Sequence, residues 1–163
     1  MKRFVIKGNI CYSSENKKLC VMKNGYAVCD DGICAGTYEE LPECYETFPC
    51  YDYSDKLIIP GFADLHVHAP QYSFRGLGMD LELLDWLNTH TFIEEAKYQE
   101  LDYAEKAYDI FAEDMLKSPT TRACVFGTIH NEATLLLMKK LENAGIKGFV
   151  GKVNMDRNSP EYI

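Results

Sequence analysis

Two histidines separated by one residue, His66 and His68, are the side chains best placed for chemistry. They end a nearly continuous apolar run, which is typical of a buried parallel strand. Side chains at positions i and i+2 of a strand point to the same face, so both imidazoles can approach one cation from one side. Imidazole nitrogen suits zinc and other borderline divalent metals. The spacing therefore predicts a metal site, with a pair of hydrogen-bonded histidines as the alternative.

The strand that carries this pair follows a region of different character. Residues 1–58 favour a small antiparallel β-sheet, with a first strand at 5–10 and a third at 33–38. Between them, Asn24-Gly25 predicts a type I′ hairpin turn, because both residues tolerate positive φ. The apolar run at 57–68 then predicts the first strand of a second domain, residues 59–163.

The second domain alternates strand and helix patterns. A capping-box-like start at Asp102 and Glu105, and a stop at Ser118-Pro119, predict its longest helix. A later helix is expected to be capped by Asn131 and to end at Gly145. In chain order the expected elements are strand 57–68, helix 81–90, helix 102–117, strand 121–126, helix 131–141 and strand 147–153. This order predicts an α/β fold with a parallel sheet of βα units.

Composition excludes several function classes. With 17 Lys+Arg against 25 Asp+Glu, the net charge is −8, which argues against a nucleic-acid binder. No stretch reaches the roughly 18 apolar residues of a membrane helix. The first residues lack the apolar core of a signal peptide, so we expect a cytoplasmic protein without a membrane partner.

Seven cysteines, an odd number, favour free thiols over a disulfide framework. A zinc knuckle is the alternative, but the spacings Cys29-x4-Cys34 and Cys44-x5-Cys50 lack the tight Cys-x2-Cys of structural zinc sites.

Several motifs of the second domain resemble a known family. The segment PGFADLHVH at residues 60–68 is similar to the opening strand of the metal-dependent amidohydrolase superfamily, and within it the chain resembles the guanine deaminases. The supporting motifs are HVHAPQYSF from His66, LDWL from Leu84, TF at Thr91 with Glu95, TTRAC from Thr120, and GFVGKVNMD from Gly148 followed by SPEY. The resemblance implies a (β/α)8 barrel preceded by part of a β-sandwich, residues 1–58.

The resemblance also implies an activity and a site. The reaction is the zinc-dependent hydrolysis of guanine to xanthine and ammonia, with one zinc ion per subunit activating a water. His66 and His68 are then metal ligands, and Gln71, with His68, contacts the purine. A glutamine amide suits a purine edge because it offers both a donor and an acceptor. The family also implies a homodimer.

Other polar residues are expected to have structural roles. We interpret Arg75 as structural, because an unpaired arginine would oppose a bound cation. Trp86 fits a helix core, and Lys152 lies outside the metal set. His90 and His130 lack partners in spacing and are expected at the surface or at helix ends, with His130 the better candidate to support the site.

The chain departs from the family in length. A full barrel needs about 250 residues, and the third strand is reached only near Val153. The further metal ligands and the proton-transfer glutamate that the resemblance requires are absent, so no catalytic residue is assigned. We therefore expect an N-terminal portion, inactive alone, that exposes one open edge of a parallel sheet and a large apolar helix-facing surface. The alternatives are a related amidohydrolase acting on another amino-substituted heterocycle, a non-catalytic assembly fragment, and a cysteine-based metal-binding module.

Overall fold

A computed structural model describes residues 2–163, and the chain divides into two compact units that meet between Pro60 and Gly61. No helix in the described part of the chain is long and apolar enough to span a membrane. In the same part of the chain, all seven cysteines are free thiols, as expected.

The first unit is a four-stranded sheet in the order β3-β2-β1-β4. Its strands are β1 (Phe4–Ser13), β2 (Leu19–Asp30), β3 (Ile33–Tyr38) and β4 (Cys50–Ile58). A short 3-10 turn, Glu43–Tyr45, lies between β3 and β4. The prediction of a purely antiparallel sheet is wrong, because β4 pairs with β1 in parallel. The crossover from β3 therefore returns the chain to the far side of β1.

The Asn24-Gly25 hairpin prediction is also wrong. Strand β2 runs through both residues, and the register against β1 shifts there from Gly8↔Gly25 to Ile10↔Met22. Only Asn24 has positive φ, whereas a type I′ turn needs it at both central residues. Lys23 and Asn24 therefore form a β-bulge opposite Asn9, and Asn24 donates its backbone N–H to Asn9 Oδ1 at 3.3 Å. The type I′ pattern occurs at Asp31-Gly32, where φ is 54° and 80°.

The second unit confirms the predicted parallel sheet of βα units. Its strands are β5 (Phe62–His68), β6 (Thr120–Phe126) and β7 (Lys147–Gly151), in the order β5-β6-β7. Its helices are α1 (Leu83–Trp86), α2 (Phe92–Ala96), α3 (Leu101–Lys117) and α4 (Asn131–Asn143). A π-turn (Leu87–Thr91) joins α1 to α2, and 3-10 turns occupy Ala69–Phe74 and Lys97–Gln99.

The apolar run at 57–68 is two strands and not one. Residues Leu57 and Ile58 belong to β4 and pair with β1, whereas β5 begins at Phe62. Pro60 has no backbone N–H to donate to a β-ladder, so the strand pairing is interrupted there.

The helix starts differ from the predicted ones by a residue or two. Glu100 has extended backbone angles and accepts the N–H of Ala104 through its carbonyl, so Asp102 lies inside the first turn of α3. His130 precedes α4 in the same way, and Asn131 is the first helical residue. The predicted end of α4 is confirmed, because Gly145 follows it with φ of 75°.

Helices α3 and α4 pack on one face of the sheet and form the core. The buried residues include Ala104, Tyr108, Phe111, Met115, Ala123, Val125, Leu137 and Leu141. The opposite face is open among the described residues: Leu65 is 75% exposed and Phe149 is 79% exposed. The prediction that β5 is buried is therefore wrong for Leu65. The exposed apolar side chains lie on the face away from α3 and α4, and not on the helix-facing side where an exposed apolar surface is expected.

Candidate metal and substrate site

The two histidines lie at the carboxyl end of β5, where the strand leaves regular pairing. The register against β6 shifts between Asp64 and Val67, so two residues of β5 bulge opposite one of β6. The backbone N–H of His66 donates to Asp64 Oδ1 at 3.0 Å, which fixes this bulge. A bulge re-aims side chains. Here both imidazole rings are brought to the strand end.

The geometry of the pair fits two ligands of one metal ion. The Nε2 atoms of His66 and His68 are 3.2 Å apart. Two nitrogens bound to a tetrahedral zinc at about 2.0–2.1 Å are separated by about 3.3 Å. The same distance also allows one N–H···N hydrogen bond between neutral rings. No group of three or more His, Cys, Asp or Glu within residues 2–163 could hold a metal, so the pair is an incomplete site by itself and the cysteines form no cluster.

The surroundings of His68 favour the neutral imidazole that a metal requires. Burial, and then the nearby His66, hold the pKa of His68 below its ordinary value. Its ring stacks on Phe126, with centroids 4.7 Å apart and planes 13° apart, which fixes its orientation. Its Nδ1 is buried and has no hydrogen-bond partner in the described chain.

Gln71 lies three residues beyond His68, on the 3-10 turn Ala69–Phe74. Its side-chain Nε2 donates to Glu95 Oε1 at 3.3 Å. Glu95 is on α2 and only 1% exposed. Burial raises the pKa of Glu95 to about 7, although the hydrogen bond from Gln71 lowers it. The sequence alone predicts no role for Glu95, which is one of two consecutive acids in a short helix that also carries Phe92.

The neighbouring acid, Glu94, has the opposite environment. It accepts hydrogen bonds from Ser73 Oγ at 2.7 Å, from Lys97 Nζ at 2.6 Å and from Tyr103 Oη. Burial raises the pKa of Glu94, but these three donors outweigh burial and hold the pKa below its ordinary value. Glu94 therefore ties the turn to α3 as a carboxylate.

A cavity of about 230 Å³ lies beside the pair and has His68 and Gln71 in its wall. Trp86 also lines it, next to the buried Phe74, with ring centroids 5.6 Å apart. The indole Nε1 of Trp86 donates to the Leu77 carbonyl at 3.1 Å, which fixes the ring. Trp86 is thus half-buried in the wall of this cavity. The expectation that it packs in a helix core is wrong.

Arg75 has the partner that a structural role requires. Its guanidinium lies over the Tyr72 ring at 3.9 Å and 3.9 Å from Asp114 Oδ2. The Tyr72 hydroxyl donates to the same carboxylate at 2.8 Å. The positive charge is therefore compensated on the side of α3.

The remaining candidates have other neighbours. His90 stacks on Phe74 at 6.0 Å. His130 is half-buried; its Nε2 is buried without a hydrogen-bond partner among residues 2–163, and burial lowers its pKa. Lys152 is exposed and donates to Asn154 Oδ1 at 3.1 Å.

Comparison with known proteins places this architecture in a class. The model of the amidohydrolase family matches residues 57–162, so the chain belongs to the amidohydrolase family. The chain is 37% identical over 175 residues to guanine deaminase of Dictyostelium discoideum, covering 97% of this chain and 39% of that protein. It is 48% identical over 109 residues to guanine deaminase of Rattus norvegicus, covering 66% of this chain and 24% of that protein.

A solved structure shares the α/β fold along nearly the whole chain. The crystal structure of guanine deaminase from C. acetobutylicum with bound guanine in the active site matches with a TM-score of 0.92 and 44% identity, covering 99% of this chain and 39% of that chain. The chain thus spans about two fifths of the length of the Dictyostelium discoideum protein and of the C. acetobutylicum chain.

Proposed function

We propose that this chain supplies the first metal ligands and a substrate-binding amide of a guanine deaminase, which hydrolyses guanine to xanthine and ammonia. One observation carries the proposal. The 3.2 Å histidine pair and Gln71 lie together at a strand end, in a fold that matches a guanine-bound deaminase at 44% identity. The chemistry of the donors agrees, since imidazole binds zinc and a glutamine amide can pair with a purine edge.

In this proposal each residue has a defined task. His66 and His68 hold one zinc ion, which when bound supplies Lewis-acid activation of a water. Phe126 keeps the His68 ring in the ligand orientation. Gln71 hydrogen-bonds the purine and orients the amino-bearing ring carbon toward the metal. The aromatic wall formed by Phe74 and Trp86 excludes water from one side of the cavity.

The whole protein is proposed to have the family's architecture. Residues 59–163 form the first βα units of a (β/α)8 barrel, and residues 1–58 form part of a β-sandwich. A catalytic zinc needs at least three protein ligands, so the other ligands and the proton-transfer glutamate come from later barrel strands. The enzyme is proposed to be a cytoplasmic homodimer with guanine as its substrate.

The test uses the protein product of the complete gene, purified with its metal content measured. We expect xanthine and ammonia to form from guanine in equal amounts, and chelation to abolish turnover. A panel of adenine, adenosine and an amino-triazine separates guanine deaminase from a related amidohydrolase. Turnover of a panel compound with none of guanine would contradict the proposal. The 163-residue chain, tested beside it, is expected to show no guanine turnover even with added zinc.

A further inference from the structure

Glu95 is a buried acid with incomplete hydrogen bonding. Its side chain is 1% exposed, and Oε1 accepts only a 3.3 Å hydrogen bond from Gln71. The other oxygen, Oε2, is buried and lacks a partner among residues 2–163. A buried, half-satisfied carboxyl destabilises the folded state. The core gains nothing from an acid at this position, so its contact with Gln71 is the feature that explains it.

This contact determines how the Gln71 amide is presented. A glutamine amide has a donating NH2 end and an accepting oxygen end, and a free amide can exchange them. A carboxylate only accepts, and a protonated carboxyl still has one accepting carbonyl oxygen, so Glu95 Oε1 draws the NH2 end of Gln71 toward α2. The carbonyl oxygen of Gln71 and its second N–H are then left for a ligand. Gln71 and His68 line the same cavity, so this oriented amide lies next to the metal ligands.

We propose that Glu95 is a positioning residue that fixes the orientation of the Gln71 amide and thereby selects a ligand edge with an N–H donor beside an acceptor. The inference rests on the proposed function, in which Gln71 contacts a purine. The adjacent acid provides a comparison within the same helix, because Glu94 accepts its hydrogen bonds from Ser73, Lys97 and Tyr103, and Gln71 donates to Glu95 instead.

The test is a double-mutant cycle in the product of the complete gene, read as KM and kcat for guanine. We expect Glu95→Leu to raise KM about three- to tenfold, the fold-change of one ordinary hydrogen bond, with a smaller change in kcat. Glu95→Gln keeps an accepting oxygen and should recover part of this loss. Gln71→Ala should raise KM at least as much. The double variant Gln71→Ala/Glu95→Leu should have a KM no higher than that of Gln71→Ala alone, because Glu95 acts through Gln71.

Two outcomes would overturn the inference. If the double variant shows the product of the two single effects, Glu95 acts independently of Gln71. If the control Glu94→Gln raises KM as much as Glu95→Leu, the effect is a general loosening of the turn. For the control Glu94→Gln, we expect an unchanged KM for guanine and a lower melting temperature.

A second readout separates this inference from the proposed function. If the wild-type product does not deaminate guanine, the proposed function fails, and the position of the amide is then read by nuclear magnetic resonance. In protein labelled with ¹⁵N-glutamine, the Gln71 side-chain signals are assigned by their loss in Gln71→Ala. They should shift in Glu95→Leu and stay unchanged in Glu94→Gln. Unmoved signals in Glu95→Leu would overturn the inference whatever the activity.

Discussion

Replacing Glu95 with glutamine should stabilise the protein at alkaline pH. The substitution keeps the shape of the side chain and an oxygen that can accept the Gln71 N–H, but it removes the ionisable group. In the folded protein, burial raises the pKa of Glu95 to about 7 from an ordinary value of 4.5. The folded state therefore binds more protons than the unfolded state between these two values. Wild-type stability falls as pH rises through this window, and the variant lacks this loss.

The pKa values set the size of the effect. A difference of about 2.5 pKa units corresponds to about 3 kcal/mol well above pH 7, at 1.36 kcal/mol per unit. The difference is nearly absent at pH 4 and about 2 kcal/mol at pH 6, because ionisation of the folded state is only beginning there. A product as long as the matched deaminase, of which this chain covers 39%, has about 400 residues. At about 2.1 cal/mol/K of unfolding entropy per residue, 1 kcal/mol shifts the melting temperature of such a protein by about 1 °C. The advantage of Glu95→Gln should therefore grow by about 3 °C between pH 5 and pH 8.

The assay is thermal unfolding of the complete gene product at several pH values between 4 and 8. Glu94→Gln is the matched control, since hydrogen bonds hold the pKa of Glu94 below its ordinary value. Its carboxylate contributes stability that is present at neutral pH and is lost as pH falls through the lowered pKa. Glu94→Gln should thus destabilise the protein at pH 7. A melting-temperature difference between Glu95→Gln and wild type that stays constant from pH 5 to pH 8 would refute the reasoning.

Two further predictions concern the core and the metal. Leu137 of α4 is fully buried, so Leu137→Ala should destabilise the protein by about 2–5 kcal/mol, measured by urea unfolding; a loss under 1 kcal/mol would contradict the assigned core. His66→Ala and His68→Ala should each lower the zinc content of the purified gene product, measured by mass spectrometry. Cys29→Ser should leave it unchanged, and zinc that instead followed the cysteine would support the cysteine-based module.

The strand-end histidines could be predicted because their placement depends on local rules. The two-residue period of a strand and the alternation of β and α patterns are short-range signals, and both βα order and histidine convergence follow from them. The Asn24-Gly25 error has a local origin too, since the same dipeptide suits a bulge within a long strand. The residues that the dipeptide pairs with decide between a hairpin turn and a bulge. Gly25 pairs with Gly8, which is seventeen residues away in the chain.

The role of Glu95 could not be predicted because it depends on tertiary contact. Gln71 and Glu95 are 24 residues apart in the chain and meet only when α2 packs against the turn after β5. Two consecutive acids in one short helix look alike in sequence. Their pKa values shift in opposite directions because three donors surround Glu94, whereas one donor reaches Glu95.

The turn that follows His66 and His68 is held at four successive residues, 70–73. The Pro70 carbonyl accepts from Tyr98 Oη at 3.2 Å, and the side chains of residues 71, 72 and 73 bond to Glu95, Asp114 and Glu94. All four partners come from the segment containing α2 and α3. Side chains held in this way lose less entropy when a ligand binds, so more of the interaction energy appears as affinity. These helices therefore do more than cover the sheet: they preorganise the segment that carries Gln71, the residue proposed to contact the purine.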